Sequence, residues 1–291
     1  MTKILKVGLP KGSLEEATYE LFEKAGFKIS NRSRSYCPSV NDPELDLRLY
    51  RPQEMHRYVE EGILDAAING YDWIVENGSK VKQVCELVYS KQTKNPIRWV
   101  LAVKNNSKFK SVKDLRGKKI STELVQVTKK YLKKHKVKAT VEFSWGATEV
   151  KPPHLADAIV EATETGASLR ANDLKVIDTV LTSVTNFIAN PKAYENKWKR
   201  TKIDNIAMLL KGAMAADDKV GLKMNVERKK LDTILKLLPA LQKPTISFLS
   251  DDNWFAVETI LDEEVVKHLI PALKRAGAEG IIEYPLNKVI D

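Results

Sequence analysis

Apolar and polar positions alternate between two rhythms along the first half of the chain. Ile4-Leu5-Lys6-Val7-Gly8-Leu9-Pro10 predicts a short buried strand, and after Lys11-Gly12-Ser13 a helical period runs from Leu14 to Ala25-Gly26. Leu45–Tyr50 alternates like a strand, 54–61 is helix-like and stops at Gly62, and Ala66–Gly70 is another strand ending in a glycine. The same grammar restarts at 97–103 (strand), 112–117 (short helix), 118–122 (strand) and a basic helix around 129–134. A strand at 156–160, a helix or turn after 164–169 and a strand at 175–181 follow. Strands alternating with helices predict an α/β architecture.

Beyond Lys219 the order changes. A strand at 219–225, a helix at 227–238, strands at 244–250 and 254–260, a helix at 262–276 and a strand at 280–284 make βαββαβ in under eighty residues. That order predicts a ferredoxin-like sheet with two helices on one face. The segment Gly212–Asp218 reads as the loop that introduces it.

Length and charge sharpen this outline. At 291 residues and 43% hydrophobic, the chain exceeds what one core usually serves, so two or three domains are expected. The net charge of +10 is uneven: residues 212–291 hold 11 basic and 13 acidic side chains, leaving 37 against 25 in the first 211. Residues 104–138 alone hold 13 basic and 2 acidic ones. The first two-thirds therefore face something anionic, which nucleic acid, an anionic membrane surface and polyphosphate metabolites all satisfy. Equally, Lys129, Lys130, Lys133 and Lys134 can be the solvated face of a helix. No apolar run reaches the ~18–20 residues of a membrane span, and the N-terminus has no signal-peptide pattern, so a cytoplasmic location is expected. Cys37 and Cys85, with four scattered histidines, offer neither a disulfide framework nor zinc spacing, and both cysteines are expected to be buried.

The familiar nucleotide loops, G-x-x-x-x-G-K-[ST] and G-x-G-x-x-G, are absent. Glu161-Ala162-Thr163-Glu164-Thr165-Gly166-Ala167-Ser168-Leu169 instead places two hydroxyls around a glycine beyond an apolar strand, with carboxylates upstream. Backbone amides near Gly166 and the hydroxyls of Thr165 and Ser168 suit a phosphate, and Glu161 suits ribose hydroxyls. An ordinary Ser/Thr helix cap with a glycine stop has the same pattern.

The ordered set Leu9-Pro10-Lys11-Gly12, Asn69-Gly70-Tyr71-Asp72, Ser121-Thr122-Glu123, Gly146-Ala147-Thr148-Glu149-Val150, Ala156–Glu161, Thr165–Asn172 and the tail Ala276–Ile281 resembles the long, histidine-regulated form of ATP phosphoribosyltransferase. The resemblance covers nearly the whole chain. It implies two periplasmic-binding-protein-like catalytic lobes, residues 1–96 with 182–211 and residues 97–181, followed by a regulatory domain at 212–291. The implied reaction is displacement of pyrophosphate from C1 of phosphoribosyl pyrophosphate by N1 of the ATP adenine, with Mg²⁺. Both substrates are polyanions, in keeping with the basic two-thirds of the chain.

Roles follow from the same resemblance. Glu161, Glu149 and Lys11 are expected at the reacting centre. Lys11, Gly12, Arg51, Asp72, Glu123, Glu161, Thr163, Thr165, Gly166, Ala167, Ser168 and Leu169 are expected to bind substrate. Relatives commonly carry Asp at position 161, Thr at 168 and Arg at 13. The ATP-phosphate contact missing at Ser13 falls to Arg32, Arg51 or a lysine of 129–134. Asp72, Glu123 and Glu149 are expected in loops opening onto the cleft. Leu249, Ser250 and Asp251 are candidates for contact with inhibitory histidine, in an assembly between dimer and hexamer. Two other classes compete. A binding-protein-like receptor has no need of a hydroxyl-rich loop with an upstream carboxylate, and a nucleic-acid binder should interleave its basic run with more aromatics than Phe109 and Tyr131.

Overall fold

The computed structural model describes residues 3–30, 35–89, 95–239 and 243–290. The chain divides into two compact units, Met1–Glu23 with Phe27–Ala207, and Lys24–Gly26 with Met208–Asp291.

The first unit contains two five-stranded sheets. One has the order Leu45–Tyr50, Leu5–Pro10, Ala66–Gly70, Thr185–Ala189, Lys82–Leu87. Its first three strands are parallel, and Thr185–Ala189 runs antiparallel to both neighbours. The other has the order Leu174–Ser183, Ile97–Lys104, Ala158–Thr163, Lys119–Thr122, Thr140–Phe143. Here Ile97–Lys104 is antiparallel to both partners, while the last three strands are parallel. The chain leaves the first sheet after Leu87, builds the whole second sheet, and returns through Val184 to place Thr185–Ala189 between Ala66–Gly70 and Lys82–Leu87 in the first. This is the expected two-lobed α/β arrangement.

Each lobe has its own core. Helix Pro52–Glu60 packs Met55 and Val59 on Leu64, Ala67, Ile74 and Ile188. Gly8 makes this possible, because a Cβ there would lie 2.7 Å from Leu64 Cδ1 and 2.8 Å from Met55 Sδ. In the second lobe, helix Val125–Lys134 buries Val127, Tyr131 and Leu132 against Leu101, Ile120 and Val160. Its lysines 129, 130, 133 and 134 are exposed on the opposite face, as the helical period requires.

The second unit is a four-stranded antiparallel sheet ordered Thr245–Phe248, Trp254–Asp262, Lys219–Glu227, Ala278–Pro285. Helices Leu231–Leu237 and Glu263–Ala276 bury Ile234, Val266, Leu269 and Leu273 on Leu222, Met224, Val226 and Val257. This is the ferredoxin-like βαββαβ fold.

Several elements depart from the sequence reading. Helices Tyr71–Asn77, Pro191–Glu195 and Lys197–Ala216 and strands Lys82–Leu87, Thr140–Phe143 and Thr185–Ala189 were not among the expected elements. The expected loop at 212–218 is helical through Ala216. Gly212 is there for close approach: its carbonyl accepts from Val289 N at 2.9 Å, and a Cβ would lie 2.9 Å from Ile290 Cγ1. Neither cysteine is buried, Cys37 being exposed and Cys85 half-buried. Cys37 sits in a surface segment, where its thiol accepts from Arg48 Nη1 at 3.4 Å.

Candidate active site

Between the two lobes of the first unit lies a cleft of about 350 Å³. The first lobe contributes Lys11, Ser13, Arg51, Gln53, Gly70, Asp72 and Trp73, and the second Trp99, Glu123, Glu161, Thr163 and Glu164. The strand ends that bear these residues meet at the crossover around Ser183–Thr185, which also lines the cleft. A concave site with apolar rings, here Trp73 and Trp99, and a few converging polar groups is where a small ligand is expected.

Glu161 is the centre of this arrangement. Its strand was expected to end at Val160, but it runs Ala158–Thr163, so Glu161 is held inside a ladder opposite Val100. Glu161 Oε1 accepts from Ala162 N at 3.0 Å, and the Thr148 hydroxyl bonds the same carboxylate. Burial, with the Glu149 and Glu123 charges nearby, pushes Glu161 up to about 7. The group therefore titrates in the physiological range.

Asp72 is not in an open loop. It is the second residue of helix Tyr71–Asn77 and only 6% exposed. Trp99 Nε1 donates to Asp72 Oδ2 at 2.7 Å, Trp73 N donates to Oδ1 at 2.9 Å, and Asp72 N donates to Ser183 Oγ at 3.0 Å. Gly70 leaves room for that carboxylate, since a Cβ would fall 2.2 Å from Asp72 Oδ1. Burial raises the Asp72 pKa even against these donors. Glu123 follows strand Lys119–Thr122, is hydrogen-bonded to the Gln53 side chain of the other lobe, and is raised by burial and by Asp72.

The loop after Glu161 is preordered by its own hydroxyls. Thr163 Oγ1 accepts from Gly166 N at 2.8 Å and Thr165 Oγ1 from Ala167 N at 3.4 Å. Ser168 Oγ donates to Glu149 in a short hydrogen bond, and Arg170 Nη1 donates to the Thr165 carbonyl at 2.9 Å. Gly166 has φ +77°, a conformation glycine adopts without penalty. Thr165, Ala167 and Ser168 are exposed, whereas Leu169 packs its side chain into Val100, Ala102, Ile159 and Leu174. What Leu169 can offer a ligand is main chain. Glu149, in the short 3₁₀ turn Thr148–Val150, is not among the residues lining the cleft, and it engages this loop instead.

At the mouth, Lys11 pairs with Glu15 at 2.8 Å, and Gly12 lies beside Arg51, with its Cα tucked where a Cβ would come 3.1 Å from Arg51 Nη1. Arg51 is exposed before helix Pro52–Glu60. Of the three sources of phosphate charge expected to stand in for Ser13, Arg51 lines the cleft, lysines 129–134 do not, and Arg32 lies outside the described residues. Among the described residues no three His, Cys, Asp or Glu side chains converge to hold a metal by themselves. In the second unit, Leu249 N donates to the Trp254 carbonyl and Asp251 Oδ1 accepts from Asn253 N, so Leu249, Ser250 and Asp251 form the turn between two strands.

The sequence reading missed Trp73, Trp99, Gln53 and Thr148. Gln53 and Trp99 reach Glu123 and Asp72 from elements remote in sequence, whereas Trp73 is the neighbour of Asp72 and Thr148 the neighbour of Glu149, and nothing in either local pattern assigns them a contact in the site.

Residues 51–212 match the family model described as ATP phosphoribosyltransferase, and residues 216–288 match the model described as HisG, C-terminal domain. The ATP phosphoribosyltransferase of Chlorobaculum parvum is 59% identical over 99% of this chain and 98% of its own length. That of Solibacter usitatus is 60% identical over 99% of both chains. Among solved structures, an ATP phosphoribosyl transferase (HisG:HisZ) complex from Thermotoga maritima superposes with a TM-score of 0.61 at 26% identity, covering 72% of this chain and 99% of the other. With both family models matched in order and such relatives aligned from end to end, the chain belongs to the ATP phosphoribosyltransferase family, which opens histidine biosynthesis.

Proposed function

We propose a division of labour in the cleft for transfer of phosphoribosyl from phosphoribosyl pyrophosphate to N1 of ATP adenine. Glu161 accepts from the ribose hydroxyls, and Thr165, Gly166, Ala167 and Ser168 take the 5-phosphate, with Thr163 and Leu169 fixing that loop from either side. The single observation that carries this reading is the placement of a rigid, strand-borne carboxylate directly before a loop already shaped by hydroxyl-to-amide bonds. A phosphate arriving there replaces the hydroxyls as acceptor for the Gly166 and Ala167 amides, and takes the Ser168 hydroxyl from Glu149. Glu149 is thereby released next to the reacting centre.

Lys11, Gly12 and Arg51 receive the polyphosphate of the second substrate at the mouth, where Lys11 exchanges Glu15 for phosphate. Departure of pyrophosphate leaves positive charge on the ribose ring, which a nearby carboxylate stabilises while the cations hold the leaving group. Adenine N1 needs no strong base, so catalysis rests on positioning and electrostatics. No three carboxylates converge among the described residues, so a hard cation would take its ligands chiefly from the substrate phosphates. Mg²⁺ carried in on those phosphates would supply positive charge to the pyrophosphate leaving group.

No helix among the described residues is long and apolar enough to cross a membrane, and we place the enzyme in the cytoplasm with its substrates. The second unit is assigned to feedback by histidine, with Leu249, Ser250 and Asp251 as contacts, in a homo-oligomer between dimer and hexamer. Neither nucleic acid nor membrane is assigned as a partner.

The test is formation of N1-substituted adenine, followed by ultraviolet absorbance with ATP, phosphoribosyl pyrophosphate, Mg²⁺ and pyrophosphatase, with and without histidine. Product that histidine suppresses and that Glu161→Ala loses supports the whole assignment. Full activity in Glu161→Ala removes Glu161 from the site.

A further inference from the structure

The Glu161 carboxylate is the end of a buried hydrogen-bonded chain that starts at Lys151. Lys151 Nζ donates to Ser144 Oγ at 2.5 Å, Ser144 Oγ is 2.8 Å from Thr148 Oγ1, and Thr148 bonds Glu161. Ser144 and Thr148 are 0% and 1% exposed, so water does not compete for either hydroxyl. The direction of every proton is fixed by the two ends. An ammonium group can only donate and a carboxylate can only accept, so Ser144 must donate to Thr148 and Thr148 to Glu161. Each hydroxyl then accepts once and donates once, with successive bonds polarised in the same sense.

We propose that Lys151, Ser144 and Thr148 are positioning residues that hold Glu161 as an oriented carboxylate for the ribose of phosphoribosyl pyrophosphate. The wire favours the charged form for a geometric reason. A neutral Glu161 weakens the charge-assisted bond from Thr148 or, by donating to Thr148, reverses the wire. In the reversed state Ser144 must turn its proton to the Gly146 carbonyl, 3.5 Å away, which is a poor acceptor distance. This matters because the other neighbours act the opposite way: Glu149 from the 3₁₀ turn and Glu123 from the adjacent strand end both repel a charge on Glu161. Asp72 and Glu164 also line the cleft, where Lys11 and Arg51 are the cations. The flanking strand Ile97–Lys104 offers uncharged Val100 and Trp99 opposite Glu161 and Ala162, and Arg98 only opposite Thr163. Lys151 is thus the cation wired to the carboxylate through the protein.

The inference rests on the ribose role of Glu161, and the test separates the two. The Glu161 titration is followed in the full-length chain by carboxyl NMR with labelled glutamate, the signal being identified by its loss in Glu161→Gln. Thr148→Val and Lys151→Met are each expected to raise the midpoint by about one pH unit, because the first removes the donor to the charged form and the second removes the ammonium that fixes the direction of the wire. Thr148→Ser, which keeps the hydroxyl, leaves it in place. At pH 7, such a shift raises KM for phosphoribosyl pyrophosphate about fivefold with kcat little changed, and the difference closes by about pH 9. An unchanged midpoint in both folded variants overturns the proposal, and Lys151→Met alone decides it if Thr148→Val does not fold. A midpoint that moves while Glu161→Gln keeps its KM for phosphoribosyl pyrophosphate supports the wire and overturns the ribose role.

Discussion

Trp99 Nε1 donates to the Asp72 carboxylate at 2.7 Å, and this bond ties the second lobe to the first at the edge of the cleft. The rings of Trp99 and Trp73 meet edge-on at 6.2 Å beside it. A buried carboxylate thus works as a fixed anchor between lobes.

Trp99→Phe keeps the packing and removes the donor. Loss of a hydrogen bond to this buried group, in the pH range where it is charged, is expected to cost about 1.5–3 kcal/mol, measured by urea unfolding across pH. The Asp72 pKa is already raised in the fold, so the folded state binds the proton more tightly than the unfolded state does. Its contribution to stability consequently falls as pH rises from the ordinary carboxylate range through the raised value. The cost of Trp99→Phe should therefore be smaller at low pH, where the Asp72 carboxyl is neutral, than at high pH, where it is charged. Equal costs at both pH values would mean that Asp72 does not carry the effect.

Glu161 gives a second pH signature. With a folded pKa of about 7, above its unfolded value, it lowers stability progressively between about pH 4.5 and pH 7. Glu161→Gln is expected to raise the melting temperature at pH 8 and to leave it unchanged near pH 4. The same variant should lose about 10–100-fold in kcat/KM for phosphoribosyl pyrophosphate, the worth of one or two charge-assisted bonds. A stable but inactive variant separates function from folding in one protein.

In Gly166→Ala the new methyl would lie 2.9 Å from Arg170 Nη1 at a residue with φ +77°. The strain of about 1 kcal/mol falls on the loop between Thr163 and Ser168. KM for phosphoribosyl pyrophosphate should rise while the affinity for ATP, measured by calorimetry, stays within about twofold. Equal losses for both substrates would remove the loop from phosphate recognition.

Glu76 supplies a structural test of the contact between the lobes. Its carboxylate accepts from Gln126 N at 2.8 Å and Val127 N at 2.9 Å, capping helix Val125–Lys134 from helix Tyr71–Asn77. Glu76→Ala is expected to cost about 1–2 kcal/mol, since a side-chain cap and a favourable charge at a helix N-terminus are lost together. Hydrogen exchange at residues 125–128 should quicken while exchange in strand Leu5–Pro10 stays slow.

The sequence by itself determined the elements whose signal is local. Strand Leu5–Pro10 and helix Val125–Lys134 announce themselves by period. The order of elements after Lys219 selects the ferredoxin-like sheet, because short connections leave few ways to bury one face of each helix. The ordered motifs from Lys11 to Ser168 likewise located the cleft residues Lys11, Asp72, Glu123 and Glu161. Strand Thr185–Ala189 stayed hidden because it is buried throughout and lacks alternation, and its pairing with Ala66–Gly70 spans more than a hundred residues. Helix Lys197–Ala216 stayed hidden because Gly212 looks like a stop until the C-terminal segment is seen packed on it. Only the tertiary structure decided the state of the carboxylates. The sequence supplies Asp72 and Glu161 as bare acids, but Trp99 and Thr148 reach them through long-range folding, and burial sets their protonation. Desolvation depends on everything packed around a group, and that is a property of the assembled lobes rather than of any motif.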